Sequence, residues 1–229
     1  MFEHVSIAAV VGTFPALLWL LFWVREDRRH PEPKRLLGLA FFAGALVVIP
    51  VLKLEGIIFN LVRDESMQLV WWSLTEELAK FIAAYFFILR RKEVDEPIDY
   101  VIYMIAVALG FAAFENALFI FTPVSEGFII KGLLTSNLRF IGATLLHIVT
   151  SASIGVALGL SFYKNQKKKR MYLFYGLILA IALHTAFNLT IMIGEGQGGS
   201  LLASSSVWVI AVIILLLFEK LKKVRPESN

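Results

Sequence analysis

The 229-residue chain contains no cysteine. Disulfides are therefore excluded, and so are thiolate metal ligands and a cysteine nucleophile. Charge is scarce as well: Asp, Glu, Lys and Arg make up 17% of the residues and hydrophobic types 58%. Soluble domains carry about a quarter charged residues, so the composition specifies a polytopic membrane protein before any motif is read. No Lys or Arg stands in Met1-Phe2-Glu3-His4, ahead of the first apolar run. That run is too long for the apolar region of a secretory signal and reads as a span. The zinc-protease sequence H-E-x-x-H is missing, although ligands drawn from separate helices would not need it. There is no Ser-His-Asp arrangement, since Asp99 falls at the edge of a span. The glycine-rich stretch Gly194 to Gly199 lacks the strand–helix context of a nucleotide loop and is a flexible connection. Internal repeats, low-complexity segments and connections long enough for a soluble domain are all absent.

What is present is a series of apolar runs of membrane length. Seven can be drawn, over 5–24, 36–60, 66–89, 99–122, 138–163, 171–193 and 201–219. The expected fold is all-α, a polytopic transmembrane helix bundle of about seven spans forming one domain over residues 1–229. The net charge of +4 is no nucleic-acid footprint, because the basic residues cluster in the connections. Arg25, Arg28, Arg29, Lys34 and Arg35 follow span one, and Arg63 alone follows span two. Arg90, Arg91 and Lys92 follow span three, and Lys131 and Arg139 lie near the fourth connection. Lys164, Lys167, Lys168, Lys169 and Arg170 follow span five; none follows span six; Lys220, Lys222, Lys223 and Arg225 close the chain. High and low counts alternate, which places the N-terminus outside and the C-terminus in the cytoplasm. Pro50 is expected to kink span two, which also carries Lys53 and Glu55. The connection Pro123 to Asn137 suits either an interfacial helix or a surface loop. Asn188-Leu189-Thr190 matches a glycosylation sequon but lies inside a span and is set aside.

Within this apolar chain, Thr75-Glu76-Glu77-Leu78-Ala79-Lys80 interrupts span three with two carboxylates and an ammonium. Each such group costs at least a few kcal/mol at that depth, so its default reading is functional. Glu76 and Glu77 both lie within helical reach of Lys80, at four and three residues. One can pair with Lys80 while the other is left for chemistry; the alternative is an ion-pair network that only fixes packing. Span four adds Glu115 and Asn116, span five adds His147, and span six adds His184 with Asn188 four residues on. His4 and His30 lie outside the spans. A single buried histidine is more often a packing residue than a ligand. Counting at about 1.5 Å per residue, however, sets Glu76, Glu115, His147 and His184 at roughly the same 10–15 Å below the outer surface. Four helices thus bring ionisable groups to one level.

Such a set suits hydrolysis by a carboxylate that deprotonates water, with Asn and His donors holding the oxyanion. It equally suits a Zn²⁺ ion held by Glu and His side chains, or proton relay in a transporter. Taken in order and spacing, Glu76-Glu77-x-x-Lys80, Phe111-x-x-x-Glu115-Asn116, the isolated His147 and His184-x-x-x-Asn188 resemble the PrsW-type membrane proteases. These are relatives of the CAAX-prenyl endopeptidases and, more distantly, of the Aph-1 subunit of γ-secretase. The resemblance covers about Pro31 to Asn188 and implies cleavage of a membrane-anchored protein, with anti-sigma factors the substrates of bacterial members. It implies Glu76, Glu77, Glu115, His147 and His184 as catalytic residues, supported by Lys80, Asn116 and Asn188. Glu115 stands where the CAAX branch has histidine. The resemblance leaves open zinc, held by Glu76, Glu115, His147 and His184, or a metal-free glutamate mechanism. Two other functions fit the residues: a non-catalytic scaffold resembling Aph-1, and a small proton-coupled transporter. Lipid and a membrane-anchored protein are the expected partners, with no nucleic acid.

Overall fold

Apolar sequence of this length has to form helices, because a lipid-facing backbone must satisfy its own hydrogen bonds. The structure is a computed structural model that describes residues 2–26, 31–130, 134, 139, 142–194 and 197–225. Its elements are α1 (Phe2–Glu26), α2 (Lys34–Leu61), α3 (Glu65–Ala84) with a π-helical turn (Tyr85–Leu89), α4 (Asp99–Ser125), α5 (Ala143–Leu160), α6 (Gln166–Ile193) and α7 (Gln197–Leu221). No strand occurs among the described residues. Six of these helices are long and apolar enough to cross a membrane. The exception, α3, carries Glu65, Glu76, Glu77 and Lys80. Side-chain caps start α3 and α6. Asp64 accepts from the Met67 amide at 2.8 Å, and Asn165 from the Lys168 amide at 3.0 Å, each satisfying one of the free N–H groups of a first turn.

Helix bounds differ from the apolar runs chiefly at four ends: α6 starts at Gln166 rather than 171, α7 at Gln197 rather than 201, and the other two are at α5 and α4. Residues 138–163 were expected to form one span, but the helix begins at Ala143 after Gly142 and ends at Leu160. There Ser161 and Phe162 close tight turns onto Leu158 and Gly159. The connection expected from Pro123 onward starts later, because α4 runs through Pro123 to Ser125. Gly127 then turns the chain at φ +87°, a conformation that favours glycine. Of the Pro123 to Asn137 segment considered as an interfacial helix, positions 131–133 and 135–137 lie outside the described residues, as do Arg28, Arg29 and His30.

The two most buried helices, α4 and α5, form the centre. Helix α4 packs against α1, α2 and α5, α5 against α6 and α7, and α3 bridges α2 and α6. Close approach of α2 and α4 depends on glycine. A Cβ on Gly44 would strike the Val107 carbonyl, and one on Gly110 the Phe41 carbonyl. Membrane helices pack through small residues for this reason, since lipid gives apolar side chains little incentive to leave it. Beyond the crossing, α2 turns its bonding to α3. Trp72 Nε1 donates to the Glu55 carbonyl at 3.2 Å and Gln68 Nε2 to the Val62 carbonyl at 2.7 Å. The ring α2–α3–α6–α5–α4 so formed surrounds the ionisable residues singled out above.

Candidate active site

Helical spacing places Glu76, Glu77 and Lys80 together on the inner face of α3, and all three are buried. Lys80 Nζ donates to Glu77 Oε1 at 2.6 Å and lies 4.0 Å from Glu76 Oε2. The same Glu77 oxygen accepts from Thr150 Oγ1 of α5 at 3.0 Å and meets His184 Nδ1 of α6 at 2.7 Å. Three donors from three helices converge on one oxygen. Glu77 is thereby fixed, and neither it nor Lys80 reaches the cavity described below.

Glu76 is placed differently. Its Oε2 is buried without a hydrogen-bond partner, 3.9 Å from His147 Nδ1, while Oε1 lies 3.8 Å from His184 Nε2. On α2, Glu55 stands beside it. The carboxylate faces a cavity of about 950 Å³ that is also lined by Glu55, Trp72, Glu115, Arg139, His147, His184 and Asn188.

Donor and acceptor chemistry assigns the histidine protons. Lys80 Nζ lies 3.0 Å from His147 Nδ1, and an ammonium can only donate. His147 therefore accepts at Nδ1 and carries its proton on Nε2, which donates to Glu115 Oε2 at 3.0 Å. His184 gives its Nδ1 proton to Glu77, leaving the Nε2 lone pair toward Glu76. The two rings stand edge to face with centroids 5.4 Å apart, and Phe111 lies under His147 at 5.3 Å. Lys80 sits 4.9 Å from the Phe111 centroid, within cation–π range.

The structure thus brings Glu76, Glu77, Lys80, Glu115, His147 and His184 into one cluster. Asn116 points elsewhere: its Nδ2 donates to Thr144 Oγ1 at 3.0 Å, and its Oδ1 accepts from Arg139 Nε at 2.5 Å. Asn188 lines the cavity on the His184 side without a hydrogen bond to the cluster. A ligand atom from each of Glu76, His147 and His184 lies within 4.8 Å of the others, a spacing that can hold a metal ion. Glu115 is outside that group, its Oε2 being taken by His147 and Arg139. The donor set is that of catalytic zinc. Glu76 offers a partnerless oxygen and His184 an oriented lone pair, with Glu77 behind it as the orienting carboxylate. The third ligand, His147, would have to give up Lys80 or Glu115.

Arg139, Thr144, Thr150 and Glu55 contribute contacts that the sequence reading did not assign. Thr144 and Thr150 stand three residues either side of His147, a spacing that puts all three on one helical face. Arg139 entered only as a topology charge, yet it falls one residue inside the expected span 138–163, where a charge is itself a signal.

The sequence profile of a family described as PrsW family intramembrane metalloprotease matches residues 32–218. The chain is 29% identical over 207 residues to Protease PrsW of Geobacillus kaustophilus, covering 86% of this chain and 84% of that protein. It is 29% identical over 193 residues to Protease PrsW of Clostridioides difficile, covering 80% and 79%. The corresponding figures for Protease PrsW of Bacillus subtilis are 23% over 180 residues, with 77% and 79% covered. No solved structure matches.

Proposed function

We propose that this chain, which belongs to the PrsW family of intramembrane metalloproteases, cleaves its membrane-anchored protein substrate with Glu76 as the working carboxylate. The protein is a multi-pass membrane protease, and residues 1–229 act as one protease domain. One observation supports the assignment of Glu76. Of two adjacent carboxylates, each with an unpartnered Oε2, Glu76 faces the cavity, whereas Glu77 is sealed behind it with three donors on its Oε1.

On this reading a water in the cavity loses a proton to Glu76 as its oxygen attacks the scissile carbonyl carbon. The tetrahedral intermediate then collapses, the C–N bond breaks, and Glu76 returns the proton to the leaving nitrogen. Asn188 donates to the oxyanion from the cavity wall, while His184, its Nδ1 proton held by Glu77, keeps its Nε2 lone pair toward Glu76. Glu77 and Lys80 do not touch substrate; they orient His184 and His147. If the family's metal is held here, Glu76, His184 and His147 hold it, and it supplies a Lewis acid that lowers the pKa of bound water.

Most of the basic residues, Lys53, Arg63 and Arg139 excepted, lie at the end of the bundle where α1, α3, α5 and α7 finish. The cluster lies toward the opposite end, beside the start of α5 and the close of α4. Under the positive-inside rule this puts the site in the outer half of the bilayer, the N-terminus outside and the C-terminus in the cytoplasm. The resemblance of the motifs to PrsW-type proteases makes an anti-sigma factor the substrate.

Glu76→Gln and His184→Ala are the direct tests, scored by cleavage of a single-span membrane reporter. Both variants should insert and fold yet lose cleavage. An unchanged cleavage rate in either one sinks the assignment.

A further inference from the structure

We propose that Arg139 is a positioning residue: from the cavity wall it holds Glu115 and, through Glu115, the ring of His147. Arg139 stands four residues before α5, in the connection from α4, yet its side chain is only 15% exposed. Its guanidinium NH2 donates to Glu115 Oε2, its Nε donates to Asn116 Oδ1, and its Cζ lies 4.0 Å from the Phe119 centroid. Glu115, Asn116 and Phe119 occupy successive and i+4 positions on α4, so one planar fork grips a single helical turn. A guanidinium cannot accept, which also fixes the Asn116 amide: Oδ1 faces Arg139, and Nδ2 is left for Thr144.

Glu115 Oε2 is the oxygen that receives both Arg139 and His147 Nε2. From there the bonds alternate through the site. Arg139 donates to Glu115, His147 donates to Glu115, Lys80 donates to His147 and Glu77, and His184 donates to Glu77. Two cations offset two carboxylates along this path, and Glu76 is the carboxylate left over. Arg139 is the only cation among the described residues that lines the cavity, whose acidic lining includes Glu55, Glu76 and Glu115. Without Arg139 the Glu115 carboxylate keeps only the His147 contact, and nothing else fixes its orientation. The His147 ring then loses the fixed acceptor that keeps its proton on Nε2 and its Nδ1 on Lys80. An Arg that met substrate directly would instead change binding.

The inference rests on the reading of Glu115 and His147 as site residues, so one readout must be independent of cleavage. Histidine-¹⁵N spectra of the full chain in nanodiscs, with His147 assigned through His147→Asn, report which ring nitrogen carries the proton. The parent should show His147 with a protonated Nε2 and a bare Nδ1, and Arg139→Met should lose that single form. Arg139→Lys keeps the charge without the two-pronged fork, so it should retain the form only in part. In cleavage of a single-span membrane reporter, Arg139→Met should lower kcat roughly 10- to 100-fold, the range for partners that orient a site residue, with KM within about twofold. The loss should shrink when Arg139→Met is made in a Glu115→Gln background, because both changes break one path. An unaltered His147 spectrum in Arg139→Met overturns the proposal. So does a raised KM with kcat intact, or full additivity with Glu115→Gln. If Arg139→Met does not accumulate, the spectrum and the split between kcat and KM are read on Arg139→Lys, with the same outcomes deciding.

Discussion

Replacing Lys80 with methionine isolates the central ion pair, since the side chains are similar in length and only the charge is lost. Lys80 and Glu77 are both fully buried, with 2.6 Å between Nζ and Oε1. At an effective dielectric near 20 their attraction is about 6 kcal/mol. Much of that offsets the desolvation of the two ions, so the pair adds little net stability over an apolar couple. Losing one partner alone is another matter. It strands a carboxylate that has already lost its hydration, and it leaves His147 Nδ1 without its donor. The expected cost is about 3–5 kcal/mol. At 2–4 °C per kcal/mol, thermal unfolding in dodecyl maltoside should fall by roughly 6–20 °C. Adding Glu77→Gln to Lys80→Met removes the stranded charge, and the double variant should regain at least about 2 kcal/mol over Lys80→Met. The reasoning fails if Lys80→Met melts within about 1 °C of the parent, or if the double variant is less stable than Lys80→Met. Either result would mean that Glu77 is not held as an anion by Lys80.

Other consequences can be checked alongside. Glu76→Gln should melt at or above the parent temperature, because it removes a buried charge whose Oε2 has no hydrogen-bond partner; a drop of several degrees would show an undetected structural role. Gly44→Leu should fail to accumulate in membranes, since its Cβ alone meets the Val107 carbonyl, whereas Gly38→Leu, which has open space around it, should express normally. Gln68→Leu should cost about 1–3 kcal/mol by leaving the Val62 carbonyl without its donor, read as an earlier thermal transition. With no native cysteine, single substitutions Lys169→Cys and Ser200→Cys label uniquely. An impermeant maleimide added to intact cells should reach position 200 and spare position 169, and the reverse pattern would invert the topology. Elemental analysis of the purified chain tests the metal: zinc bound by the parent should be lost from His184→Ala, and zinc retained there would exclude His184 as a ligand.

Much of the fold was legible along the chain. Apolar runs set the seven long helices among the described residues to within a few residues at most ends, because spanning lipid leaves the backbone no alternative to the helix. The misjudged ends at Ala143 and Ser125 fall where apolar sequence continues past the helix or a proline lies inside one, and those at Gln166 and Gln197 where polar residues are helical ahead of the apolar run. A proline tolerated within α4 carries no local sign of that tolerance. The site residues stood out because charge and imidazole are costly among apolar neighbours. Arg139 was overlooked because, near the edge of a run, it could be counted as a topology charge.

The sequence by itself determined which ionisable groups lie within the spans, and that Lys80 is within reach of Glu76 and Glu77 alike. It left undecided which of the two carboxylates the other helices bond to, because spacings of three and four residues on one helix are nearly equivalent. Only the tertiary structure decided this. Thr150 and His184, 73 and 107 residues away along the chain, arrive on other helices and close on Glu77, and the packing of α5 and α6 against α3 leaves Glu76 facing the cavity. That choice lies in contacts between helices, which no local pattern of residues records.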